Sequence, residues 1–192
     1  MITAQTFASI QGIDRDQWND CFPGSLEDWD YYLAVEKAGI AEFRWRYLAL
    51  FEGPKLLAVA PAFITHYSLD TTMQGAGKRL TEKLQSLWPG ALQVSLYCIG
   101  SPVAEQCNAG TASCVPAHQR RHLLSELLQL ARRDADSFGI GLLAVKDAPI
   151  ADEHWVQTCR DAGLQSMPSL PSSTLPVQFG SIEAYLGSLG KS

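Results

Sequence analysis

The sequence predicts a mixed α/β domain, one sheet layered between helices. Three observations predict it. Short apolar or alternating runs recur between helical segments, in the order β, α, α, β, β, α, β, α, β, α, β, α. The run RWRYLALFEGPKLLAVAPAFITHY reads as two strands joined at Glu52-Gly53-Pro54-Lys55, and both its faces are mostly apolar, so it needs cover on both sides. The 192 residues are 46% hydrophobic and 18% charged, enough apolar side chain for one good core and unlike a disordered chain.

Residues 2–10 form a partly alternating run and a first strand. Asp14 caps a short helix, DRDQWNDCF, with Trp18 on its apolar side, and Pro23-Gly24 break it. Ser25 opens a second helix, with Glu27 and Asp28 in the first turn, where the dipole favours anions. Leu26, Trp29 and Leu33 share one of its faces, and Gly39 ends it. On the hairpin's first strand Trp45, Tyr47, Ala49 and Phe51 face one way. On the second, Val59, Phe63, Thr65 and Tyr67 face one way and Ala60, Ile64 and His66 the other. A helix over 78–88 is closed by Pro89-Gly90, and ALQVSLYCIG is a strand. The small-residue loop SPVAEQCNAGTASCVPA leads into the most regular helix, 119–138, where Leu124, Leu128, Ala131, Ala135 and Phe138 fall at helical spacing. GLLAVKD is a short buried strand, and 152–162 is a helix ended by Gly163. MPSLPSSTLP is a loop, LPVQF a last strand, and Ser181 the cap of a final helix, SIEAYLGSL.

Bulk properties exclude several function classes. A net charge of −5 argues against a general nucleic-acid binder. The longest apolar stretch, around 56–64, contains Pro61 and is far too short for a membrane span. The start, MITAQTFASI, lacks the basic residues and long apolar run of a signal peptide. The five cysteines are an odd number, which reads as free thiols in a reducing cytoplasm.

The stretch HQRRHLLSELL, 118–128, joins a basic helix start to a buried leucine face. Helix N-termini bind phosphate through unpaired N–H groups and the dipole, and a close backbone approach usually calls for glycine. The line Gln119-Arg120-Arg121-His122-Leu123-Leu124 resembles the pyrophosphate-binding segment of the GNAT acyltransferase superfamily. That segment has Gln or Arg, two variable residues, Gly, one variable residue, then Gly or Ala, leading into a leucine-bearing helix. Gln119 and the leucines match it, whereas His122 and Leu124 stand at the two small positions. On this resemblance Gln119, Arg120 and Arg121 are the cofactor-binding candidates, the arginines pairing with phosphate through their side chains. A solvated basic helix start above a leucine face explains the same residues without a ligand.

The strand order, the hairpin and the helix–Gly–strand unit CRDAGLQSM also resemble one GNAT-type domain. SIEAYLGSLGKS resembles the start of the linking helix of FemAB-like acyltransferases, which follows the first of two GNAT-type domains. The resemblance implies a GNAT-like domain over 1–180 and, over 181–192, the start of a helix leading to a second domain. It implies acyl or aminoacyl transfer to a small-molecule or peptide-like amine, with acyl-coenzyme A or aminoacyl-tRNA as donor. A second GNAT-like domain or a second copy of the chain is the implied partner. In that family the first domain has lost the coenzyme-binding glycines, and His122 and Leu124 fit that loss. Two functions follow: an N-acyltransferase domain, or a GNAT-shaped binding module with a degenerate coenzyme A site. The residues by themselves fix no cofactor.

Thr65-His66-Tyr67-Ser68-Leu69-Asp70-Thr71-Thr72 is the densest polar run after a buried strand. His66 and Asp70 are candidate general bases, and Tyr67 a candidate acid or substrate contact. A strand end with Asp70 capping a turn explains them equally. Trp45, Arg46 and Tyr47 would line the same cleft or sit half-buried in the sheet. Cys107, Cys114, His118 and His122 form a C-x6-C-x3-H-x3-H series that lacks the tight C-x2-C spacing of zinc sites, so no metal is expected. Gly190-Lys191-Ser192 lacks the upstream glycine of a P-loop, and neither Gly75-Ala76-Gly77 nor Gly139-Ile140-Gly141 sits in a dinucleotide-binding context.

Overall fold

The computed structural model describes residues 1–68, 93–107, 109–167 and 177–189, side chains of Tyr67 and Ser68 excepted. Asp70, the helix expected over 78–88 and Gly75-Ala76-Gly77 lie outside the described residues. Strands β1 (Ile2–Phe7), β2 (Arg44–Glu52), β3 (Lys55–Ser68), β4 (Gln93–Ile99) and β6 (Leu142–Val145) lie side by side in that order, and the short β5 (Gly110–Thr111) pairs with β3. Every pairing is antiparallel except β4 with β6. The mixed α/β class expected from the sequence is therefore observed.

The alternation of the β2–β3 hairpin splits the core into two layers. Tyr47, Ala49, Val59 and Phe63 pack against Trp18 of α1 (Arg15–Cys21) and Tyr32 of α2 (Trp29–Lys37). Leu48, Leu50, Ala60 and Ile64 face the other way. They meet the leucines of α3 (Ala117–Ser137) and Trp155 of α4 (Glu153–Asp161). Each fully buried leucine contributes roughly 1.5–3 kcal/mol, and α3 supplies Leu123, Leu124 and Leu127 at 1% exposure or less. A last helix, α5 (Ile182–Ser188), is capped by Ser181 as expected and has no buried residue.

Local boundaries differ from the expectations in four places, the first two for a visible reason. β1 ends at Phe7, because the Ser9 hydroxyl accepts the Gln11 N–H and opens one 3-10 turn, Ile10–Gly12. The second helix is capped by Asp28, not Ser25: Asp28 Oδ1 accepts from Tyr31 N at 2.9 Å, and Asn19 Oδ1 accepts from Trp29 N at 2.9 Å. Leu26 thus stays outside the helix and is 93% exposed, while Tyr32 takes the buried place. Residues 177–179 of the expected last strand carry no strand, and α3 starts two residues early.

One polar cluster crosses the apolar layer. Arg46 of β2 donates from Nε and Nη2 to both oxygens of Asp134 on α3, each at 2.7 Å. Tyr97 of β4 donates to Asp134 Oδ2 at 2.8 Å. Thr6 of β1 accepts from Arg46 at 2.9 Å and donates to Asp134 at 3.1 Å. Arg46 and Asp134 are both buried, and Phe138 lies under the Arg46 guanidinium, 5.2 Å from ring centroid to Cζ. Arg46, expected as a half-buried sheet residue or a cleft lining, is instead one half of a satisfied internal ion pair.

Burial alone would raise the Asp134 pKa, but Arg46, Tyr97 and Thr6 outweigh it and hold the carboxyl below its ordinary value. A carboxyl with a depressed folded pKa contributes stability that is present above its unfolded value and is lost as pH falls through the folded one. Asp134→Asn leaves the Arg46 charge buried without a counter-ion, so we expect a loss of about 3–5 kcal/mol at neutral pH. Urea unfolding would show a lower midpoint at unchanged m, and a shallower acid dependence below about pH 4 than the parent protein.

Candidate functional site

The carboxyl ends of the parallel pair β4 and β6 form the centre of the site. Their register runs from Leu96–Leu142 to Ile99–Val145 without a break. Beyond it Lys146 N donates to Ile99 O at 2.9 Å, and Cys107 N then donates to Asp147 O at 3.1 Å. The two strands stay paired to the last residue of each, and a returning segment bonds two residues past the end of β6, after β4 has turned away.

That segment, residues 101–107, forms a strap. Gly100, at φ +120°, bends the chain off β4, and its N–H donates to Pro61 O at 2.8 Å. Tyr31 of α2 donates to Val103 O at 3.0 Å, and Lys146 Nζ donates to Ala104 O at 2.8 Å. Asp147, which also pairs with Lys146, has φ +47°, the only non-glycine in the left-handed region among the described residues. After the strap, β5 returns to β3. Gly110 is required there, because a Cβ would stand 2.6 Å from the Cys21 carbonyl oxygen and 2.7 Å from the Phe22 ring.

A pocket of about 490 Å³ lies beside the strap. Its walls come from the α1–α2 connection at Phe22–Ser25, from β5, and from an ion pair between Arg120 of α3 and Asp152 at the start of α4. Arg120 Nη1 and Nη2 donate to the two Asp152 oxygens at 2.7 and 2.6 Å. Asp152 also caps α4 by accepting from Trp155 N at 3.1 Å. The Arg120 guanidinium, the Trp155 N–H and nearby positive charge hold the Asp152 pKa down, against burial. Burial pushes the neighbouring Cys21 thiol up to about 12 and raises Cys107 too, so neither is a nucleophile at neutral pH. A second groove, of about 580 Å³, runs between α3 and α4. His118, His122, Gln129 and Arg132 line it on one side, Asp161 on the other, over Leu143.

The donor segment can be tested against coenzyme A. Residues 119–124 lie inside α3, which starts at Ala117 with Pro116 as N-cap. From the fourth residue onward, helix N–H groups bond within the helix. The backbone of 121–124 is therefore spent, and it forms no loop for a pyrophosphate. Leu124 is fully buried against the sheet, and His122 points into the α3–α4 groove. Arg120 is held by Asp152, and Arg121 by Asp161. Gln119 is exposed at the helix start. These residues do not make a backbone cradle for the coenzyme.

The structure separates the other candidates from this site. His66 is exposed on β3, with Nδ1 3.1 Å from Ser95 Oγ, and Tyr67 stands opposite Val94. Both sit near the amino end of β4, roughly 13 Å along the strand from Ile99. Trp45 and Tyr47 are core residues, not cleft walls. Cys107 is buried, while Cys114, His118 and His122 are exposed. Among the described residues no group of three or more His, Cys, Asp or Glu is placed to hold a metal ion. All five cysteines are free, and among the described residues no helix is long and apolar enough to cross a membrane. Reading the sequence missed Asp152 as the partner of Arg120, because the pair spans 32 residues and leaves no local signature.

A scan against protein-family models finds no match, and neither does a search of curated proteins. Solved structures do match the fold. Aminoglycoside acetyltransferase AAC(6')-Iy, in complex with a bisubstrate analogue, aligns at TM-score 0.55 and 10% identity over 92% of this chain and 99% of that one. A probable acetyltransferase aligns at 0.54 and 13% over 93% and 98%. A transcriptional regulator from Bacillus halodurans C-125 aligns at 0.56 and 12% over 91% and 100%. Such likeness shows the fold alone: the chain has the mixed α/β fold of GNAT-type acetyltransferases.

The strap gives a direct test. A Cβ at Gly100 would meet Cys107 Cβ at 3.3 Å and Lys146 Cβ at 3.4 Å, at a φ that side chains rarely adopt. Gly100→Ala should cost about 1–3 kcal/mol of stability. Hydrogen exchange read by mass spectrometry should show faster exchange at 101–107, with β2 and β3 still protected.

Proposed function

We propose that this chain is an acyltransferase-type domain, FemAB-like, that serves acyl or aminoacyl transfer to an amine by binding the acceptor rather than loading coenzyme A. The carrying observation is the unsplayed β4–β6 pair, continued by Cys107 on Asp147, where a donor thioester would have to enter. The in-helix position of Gln119, Arg120 and Arg121 points the same way. The pocket beside the strap is the acceptor side in this reading, and a second GNAT-like domain or a second copy supplies the donor. The exposed apolar face of α5, with Ile182 and Leu186, suits such a partner. The free thiols suit a cytoplasmic setting. His66 and Tyr67, at the far end of β4, keep a substrate-contact role, and Asp70, outside the described residues, remains a candidate beside them in sequence.

A second reading rests on the start of α3, which has no side-chain cap and no acidic residue in its first turn. A single-domain acetyltransferase would seat the coenzyme phosphates there, on Arg121, His118 and His122, after Arg120 and Arg121 exchange their carboxylates for phosphate.

Titrating the chain with coenzyme A and acetyl-coenzyme A in a thermal unfolding assay separates the two. We expect no saturable rise in Tm at millimolar ligand. A saturable rise that Arg120→Ala/Arg121→Ala abolishes would establish the second reading, since a ligand that binds only the folded state raises Tm by mass action.

A further inference from the structure

We propose that the pocket bounded by the α1–α2 connection, β5 and the Arg120–Asp152 pair binds a small zwitterion: a ligand carrying a carboxylate and an ammonium a few atoms apart, as the main-chain groups of an amino acid do. The proposal rests on the acceptor reading above and names the class of acceptor.

The volume, about 490 Å³, lies within the range of small-molecule sites. Among the described residues, Arg120 and Asp152 are the only charged ones lining it, and their charges cancel. The Arg120 and Asp152 side chains are 26% and 23% exposed. They are open enough for a ligand to touch and desolvated enough for charge to count more than at a free surface.

The pair also keeps unspent bonding capacity. A guanidinium carries five N–H donors. Arg120 gives one from Nη1 and one from Nη2 to Asp152, which leaves three, the Nε–H among them. A carboxylate offers about four acceptor positions. Asp152 fills three, with two Arg120 donors and the Trp155 N–H, and one remains. A ligand carboxylate can therefore sit on Arg120 and a ligand ammonium on Asp152 without breaking the pair. A ligand with one charge satisfies half of this and leaves a net charge in the pocket. Phe22, Pro23, Ala109 and Pro149 supply apolar walls, and the Cys21 and Cys107 thiols stay neutral.

The pair also ties α3 to α4, and a mere staple would make the same contacts. A staple confers no ligand preference, so selectivity is the readout. Isothermal titration of the full chain would use glycine and leucine as zwitterions. The matched probes are methylamine and 3-methylbutylamine, which lack the carboxylate, and acetate and 4-methylpentanoate, which lack the ammonium. At least one zwitterion should bind saturably, and about tenfold or more tighter than either of its halves. Arg120→Gln and Asp152→Asn should each lose about that factor. Asparagine still caps a helix, so α4 keeps its start in the second variant. Ala109→Phe, which fills the pocket and leaves the pair alone, should abolish binding at a Tm close to the parent's. No saturable binding by either zwitterion, or equal binding by zwitterions and halves, overturns the proposal. The coenzyme titration is run without amino acids, so its result stands whichever way this one falls.

Discussion

The Arg46–Asp134 pair is the constraint on which the arrangement of this domain depends. It joins β2 to α3 directly and reaches β4 through Tyr97 and β1 through Thr6. Four elements distant in sequence meet at one carboxylate. Removing two charges from water costs several kcal/mol per ion before their attraction is counted, so such a pair is a weak source of net stability. Its effect is on uniqueness. The leucine face of α3 would slide along the sheet at little cost, since one leucine replaces another. The carboxylate cannot slide, because any other register would leave Arg46 buried and unpaired.

Pinning α3 at Asp134 fixes where its other end falls. From Asp134 back to Ala117 is 17 residues, about 26 Å of helix. That length carries α3 across the sheet to the start of α4, where Arg120 meets Asp152. A helix held by ion pairs near both ends does not unwind its first turns readily. The residues that resemble a phosphate-binding loop are thereby drawn into regular helix, and their N–H groups go to carbonyls one turn back. The resemblance in letters is present while the backbone conformation that gave those letters their chemistry is not.

This explains what could be read in the sequence and what could not. The β2–β3 hairpin, the two-sided burial of its strands and the leucine stripe of α3 were legible, because period-two and period-3.6 patterns are local. The Asp14 and Ser181 caps were legible for the same reason. The start of α2 was misread because Asn19, nine residues before Asp28, takes the Trp29 N–H, and that contact has no local signature. Asp134 looked like one more polar residue on a helix, for its partners lie 37, 88 and 128 residues away. Arg120 and Arg121 were legible as a basic helix start. Their engagement by Asp152 and Asp161 depends on how α4 packs on α3, and no spacing rule encodes that.

The closed wedge and the open pocket are two results of one backbone path. Had the chain continued straight past Ile99, the gap between β4 and β6 would have stayed free and residues 101–107 would have lain elsewhere. Gly100 turns it instead, and Cys107 bonds to Asp147, two residues past the end of β6. The chain must then cross back to β3, which it reaches at Gly110, against the end of α1. That crossing leaves space between α1, β5 and the α3–α4 ion pair, and it puts a guanidinium and a carboxylate on the wall of that space. The same backbone path therefore ends the β4–β6 ladder at Ile99–Val145 and opens a pocket that carries both signs of charge. One turn at Gly100 thus sets both the edge bond to Asp147 and the place of the pocket.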